Sequence, residues 1–189
     1  KIASFAAEDL VLSLGGPDPD NAVDGLQLRA ALFQTLPALE GQGLSIAIVN
    51  VDACAINPPH IHPRAAEIIY MLEGDLRVGF AEESGTGAMI NDISQGDVTF
   101  FPQGLVHYQQ NLGCSPAAFV AALSSEDPGA TRLTANFFSL PTEAIKARTR
   151  AVLPVDDTDL EALIAALPTA LTTSRQECLE ECGLTPGAD

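Results

Sequence analysis

The stretch Asn57-Pro58-Pro59-His60-Ile61-His62-Pro63-Arg64-Ala65-Ala66-Glu67 decides how the rest of the chain is read. Residues i and i+2 of a strand project to one face, so His60 and His62 can point together into an interior. Glu67 follows a connection containing Pro63 and opens the next apolar run, Glu67-Ile-Ile-Tyr-Met-Leu72, so its carboxylate can return to the same place. Further on, His107 follows Pro102-Gln103-Gly104-Leu105, a turn that launches another strand. These are all three histidines of the chain. Taken singly, each reads as readily as a hydrogen-bonded core residue or a strand decoration. Gathered around one carboxylate, three imidazoles form a mixed N/O donor set. Such a set suits borderline first-row divalent ions and leaves coordination positions open.

Outward from this stretch, residues 26–124 read as short β-type runs punctuated by turn residues. Leu44 to Val51 is rich in Ile, Val and Leu. Glu73-Gly74-Asp75 is a hairpin signal between Glu67–Leu72 and Leu76–Ala81. Glu82 to Ala88 is a polar connection, and Val98–Phe101, Val106–Gln110 and Ala117–Leu123 complete the series. Even spacing of short strands favours a sandwich or barrel over alternating βαβ units. Residues 1–24, with a turn at 15–21, read as an N-terminal arm, and 25–140 as the β-barrel. Residues 141–189 read as a helical extension. Pro141 precedes the helix-forming Glu143–Arg148 run, and Thr158-x-x-Glu161 and Ser174-x-x-Glu177 are capping boxes. Leu160, Leu163, Ile164 and Leu167 fall at helical spacing, and Gly183 closes the last helix.

The chain has 189 residues, enough for one domain with a substantial core, and 47% of them are hydrophobic. Nine basic against 25 acidic residues give a formal net charge of -16. So negative a surface repels nucleic-acid phosphates and anionic headgroups, which sets aside nucleic acid and membrane as partners. Nothing reaches the ~18 consecutive apolar residues that a spanning helix needs. The chain begins at Lys1 without a signal-like apolar run, as a secreted chain does after processing, and as a trimmed chain would as well. Four cysteines, Cys54, Cys114, Cys178 and Cys182, permit two disulfides, which fits an oxidising, extracellular setting. They allow three pairings. On a helix Cys178 and Cys182 have β-carbons ~5–6 Å apart, too far for the ~3.8 Å of a bridge. Each is therefore expected to reach Cys54 or Cys114.

The sequence resembles the cupin superfamily, and within it the germins and germin-like or spherulin-like proteins. The first cupin motif is Gly, five residues, His-x-His, three or four residues, Glu, six residues, Gly. The chain supplies His60-x-His62, four residues, Glu67, six residues and Gly74. The second motif is Gly, five residues, Pro, four residues, His, three residues, Asn; Gly96, Pro102, His107 and Asn111 satisfy it throughout. Asn-Pro-Pro-His-x-His-Pro-Arg is closer to germins than to cupins at large. Three features depart from the pattern. Cys54 stands at the first glycine of the first motif, so the local turn is expected to differ. No cysteine precedes Cys54, so the N-terminal clamp of plant germins is missing, and Cys178 and Cys182 are added at the other end. Plant germins are hexamers; the altered ends leave the homo-oligomer state open.

The resemblance implies an all-β cupin fold, a jelly-roll barrel or double-stranded β-helix with short C-terminal helices. It implies His60, His62, Glu67 and His107 as ligands of Mn2+, with other first-row ions as alternatives. The activity it implies is oxidation of oxalate by dioxygen to carbon dioxide and hydrogen peroxide. Asn57 matches an asparagine that bonds the substrate in germin oxalate oxidases. A second such asparagine is expected on the preceding strand; Asn50 is nearby, but a shorter connection to His60 keeps it from being placed in register. Arg64 reads as a salt-bridge partner rather than a substrate clamp, and Asn111 as closing the turn after His107. The alternatives are superoxide dismutation by the same ion, or a non-catalytic spherulin-like stress, storage or ligand-binding protein. Oxalate decarboxylation is less apt, since that family usually carries two cupin domains.

Overall fold

The computed structural model describes residues 5–15, 22–23, 25–83, 87–141, 143–145 and 176–184. The apolar stripe at 160–167, the first capping box and Ser174 lie outside the described residues. The strands are β1 (Ala22–Val23), β2 (Leu26–Ala31), β3 (Ser45–Val51), β4 (Ile56–Ile61), β5 (Glu67–Glu73), β6 (Asp75–Ala81), β7 (Ala88–Ser94), β8 (Val98–Phe101), β9 (His107–Gln110), β10 (Ala117–Leu123) and β11 (Thr131–Arg132). Among the described residues the α-helices include α1 (Leu133–Phe138) and α2 (Gln176–Glu181). The strands form two antiparallel sheets, ordered β1-β2-β3-β10-β5-β8 and β11-β4-β9-β6-β7. This is the all-β jelly-roll architecture that the resemblance implies, within the sandwich-or-barrel class that the strand spacing favours. The two-residue strands β1 and β11 were not anticipated, nor were β7 and α1. In β7 only Ile93 is buried, which leaves no period-2 pattern to read, and α1 is a short exposed helix.

Alternation sorts the first sheet into two faces. Leu28, Val49, Phe119 and Met71 stand in one cross-strand row facing inward. They pack against Leu76, Val78 and Ile93 of the second sheet to form one core. The residues between them face outward, and two of those rows are also apolar. Ile46, Ala122, Ile68 and Phe100 make one, and Ile48, Val120, Tyr70 and Val98 the other. Ile68, Tyr70, Val98 and Phe100 are all exposed.

The hairpin between β5 and β6 turns at Gly74, with φ 73°. A Cβ there would lie 2.9 Å from the Pro116 carbonyl oxygen and from the Ala117 Cα, so only glycine fits the turn and the approach of β10. Cys54 takes φ 64°, the left-handed conformation that glycine adopts freely. The turn at the departed motif position therefore keeps a backbone suited to glycine, contrary to expectation. Disulfides Cys54–Cys178 and Cys114–Cys182 account for all four cysteines, so Cys178 of α2 and Cys182 in the turn that follows it both reach back to the barrel. They pin α2 against the turns before β4 and after β9, burying Cys178 and Leu179 beside Cys54.

Met71 is fully buried in the inward row, whereas its strand neighbour Ile68 is 47% exposed. Met71→Ala should cost about 2–5 kcal/mol in urea unfolding, and Ile68→Ala within roughly 0.5 kcal/mol. Equal costs would contradict this assignment of faces.

Candidate metal centre

The site is built where β4 pairs with β9. Asn57 lies opposite Gln109 and His60 opposite His107, so three steps along β4 match two along β9. The extra residue falls at Pro58-Pro59, whose nitrogens cannot donate to the ladder, and a bulge results. In a regular strand, residues three apart point to opposite faces. The bulge changes that parity, so Asn57 and His60 both line the interior cavity. His62 follows immediately after β4, Glu67 begins β5 and His107 begins β9.

The four side chains converge. One ligand atom from each of His60, His62, Glu67 and His107 lies within 4.8 Å of the others. Glu67 Oε2 is 3.0 Å from His107 Nε2 and 3.3 Å from His62 Nε2. His60 and His107 rings have centroids 4.2 Å apart, and Phe101 stacks on His107 with 17° between the planes. Each Nδ1 faces a backbone carbonyl: His60 that of Pro58 at 2.8 Å, His62 that of Gly129 at 2.6 Å, and His107 that of Leu105 at 2.9 Å. A carbonyl oxygen only accepts, so Nδ1 carries the hydrogen in all three and Nε2 remains to bind.

Electrostatics tie the cluster together. Burial, with His107 beside it, presses the pKa of His60 down to about 4. Burial also opposes charge on His62, but the hydrogen bond and charge of Glu67 outweigh it and raise the pKa. Burial would raise Glu67, yet hydrogen bonding to His107 and His62 holds it at about 2. Glu67 is thus an anion in an apolar interior, held by hydrogen bonds to His107 and His62. A divalent cation at the same point would stabilise the carboxylate in their place. The three oriented Nε2 atoms and the carboxylate fit such an ion.

The sequence model of the cupin family matches residues 12–151. The chain belongs to the cupin family. Spherulin-1B of Physarum polycephalum is 35% identical over 155 residues, 81% of this cupin and 60% of that protein. A probable germin-like protein of Arabidopsis thaliana, subfamily 2 member 5, is 40% identical over 128 residues, 68% and 60% of the two chains. The chain therefore spans 60% of the length of these relatives. Among solved structures, an oxalate oxidase in complex with the substrate analogue glycolate matches with a TM-score of 0.75 at 27% identity, covering 83% of this chain and 80% of that one.

Around the cluster this cupin has a cavity of about 230 Å³. Asn57 lines it, and its Nδ2 donates to Gln109 Oε1 at 2.6 Å. Gln109 is fully buried, and its Nε2 has no partner among the described residues. The O and N positions of two facing amides are set by their network, so exchanging both would free the Asn57 amino group toward the cavity. Sequence reading missed Gln109, although His107-x-Gln109 carries the same i, i+2 signal as His60-x-His62. Asn50 lies on the outward parity of β3, whereas Ala47 and Val49 face the cavity, so no second asparagine enters from that strand. Arg64 bonds Asp127 at 2.8 Å, and Asn111 ties the turn after β9 through Val51, Gly113 and Ser115. Both are structural, as expected.

A direct check is thermal unfolding of chelator-treated protein with added divalent metal. At a hundred times the dissociation constant, binding should contribute about 2.7 kcal/mol. Glu67→Gln should lose most of that gain, and an unchanged gain would place the ion elsewhere.

Proposed function

We propose that His60, His62, Glu67 and His107 hold one manganese ion and that the protein oxidises oxalate: oxalate dianion, dioxygen and two protons give two carbon dioxide molecules and one hydrogen peroxide. The observation that carries this reading is the convergence of three oriented Nε2 atoms and one carboxylate on a point beside a cavity of about 230 Å³. The likeness to an oxalate oxidase bound to glycolate supports it. Manganese would supply Lewis-acid polarisation of a bound carboxylate and a route for single electrons.

The chain's own residues supply the rest. The three carbonyl clamps keep each imidazole aimed inward with its hydrogen on Nδ1. Phe119, Leu123 and Val49 wall the cavity and keep bulk water from the reacting carbons. The Asn57 amide, steadied by Gln109, orients a carboxylate without adding charge. The likeness to Spherulin-1B favours a second reading, in which the same centre binds a ligand without turnover. Superoxide dismutation, a third, would use the same ion and leave the apolar walls without a task.

Two further parts belong to this reading. Two disulfides support an oxidising, extracellular setting, and among the described residues no helix is long and apolar enough to cross a membrane. The exposed apolar rows around Ile68 and Phe100 support self-association through the first sheet.

Purified protein should contain about one manganese per chain, unless zinc, nickel or copper displaces it during expression. Peroxide release from oxalate should be measured beside superoxide quenching; activity with superoxide alone eliminates the oxidase. His107→Ala should abolish both metal retention and turnover. Asn57→Ala should lower oxalate turnover about tenfold or more with metal content intact, and an unchanged rate would remove its proposed role.

A further inference from the structure

Among the described residues, the cavity holds one charged side chain that the metal cluster does not use. Arg132 lies on β11 directly opposite His60 on β4. Cross-strand partners project to one face, and Arg132 lines the same cavity as His60, His62 and Glu67. Four basic residues fall within the described segments. Arg64 and Arg77 bond Asp127 and Asp92, and Arg29 donates to the Leu14 carbonyl. The Arg132 side chain has neither a hydrogen bond nor an ion pair among the described residues. Partial burial lowers its pKa, and among the described residues no carboxylate offsets that cost. Glu67, the carboxylate that lines the same cavity, already serves His62 and His107.

The rest of the lining makes the position matter. Leu28, Val49, Phe119 and Leu123 offer no hydrogen bonds, and the Asn57 amide is neutral. Resting on the manganese reading above, the charges sum simply. A divalent ion with one Glu67 carboxylate and three neutral imidazoles carries a single positive charge, and Arg132 adds a second. A monoanion is balanced by the ion alone, whereas a dianion needs both.

We propose that Arg132 is the specificity-determining residue of this cavity: its guanidinium pairs with the second carboxylate of a small dicarboxylate whose first carboxylate sits at the His/Glu centre. A planar fork of donors suits a carboxylate better than a point charge does. The ligand class is therefore dicarboxylates of two to four carbons, with the apolar wall against the carbons between the charged ends.

The test is isothermal titration of manganese-loaded protein with oxalate, malonate and succinate, and with acetate and butyrate as single-charge controls. Wild type should bind at least one dicarboxylate about tenfold to a hundredfold tighter than acetate. Arg132→Gln should erase that gap while leaving acetate affinity, manganese content and unfolding midpoint unchanged, and Arg132→Lys should restore part of it. A gap that survives Arg132→Gln, or a variant that weakens acetate equally, overturns the assignment. Erasure of the gap in a protein that makes no peroxide from oxalate would sink the oxidase reading and leave this one standing. Wild type that retains no metal and binds no dicarboxylate would remove both.

Discussion

His60 and His107 are far apart in the chain and directly opposite one another in the sheet, and that register governs the whole interior. It holds because β9 is clasped on both sides, by β4 and by β6, so a slip of one residue would break two ladders and turn His107 and Gln109 out of the barrel. The bulge at Pro58-Pro59 then sets which β4 residues follow His60 inward. Two residues without amide hydrogens thus do for Asn57 what alternation alone could not.

Within that frame the barrel tolerates an anion it would otherwise exclude. An isolated carboxylate in an apolar interior protonates rather than stay charged. Glu67 stays charged because His62 and His107 stand within hydrogen-bonding distance, and because Phe101 and the carbonyl clamps leave His107 little freedom to turn away. Folding therefore assembles the centre before any ligand arrives, and the cost of gathering like side chains is met by the two sheets closing over one core.

Much of this was legible in the chain itself. β3, β5 and β10 are short runs rich in apolar residues, bounded by turn residues, so their strands and the Gly74 hairpin could be read from residue type. The cluster was legible because its spacings are short and histidine is scarce. The cysteine partners were half legible: helical spacing pointed Cys178 and Cys182 outward, but which reached Cys54 depended on how α2 lies. β7 was hidden because six of its seven side chains are exposed and carry no pattern. Arg132 gave no local signal at all. Its place beside His60 comes from the pairing of a two-residue strand with β4, a contact that no short window of sequence contains.

The partners of the three Nδ1 atoms are all main-chain carbonyls, those of Pro58, Leu105 and Gly129. In many metal proteins that supporting role falls to a carboxylate, and one base change can delete it. Here no exchange of a side chain removes the acceptor; only a shift in the path of the backbone could. Drift in this lineage can therefore reshape the walls and the mouth of the barrel freely, while the tautomers of its imidazoles are inherited with the fold.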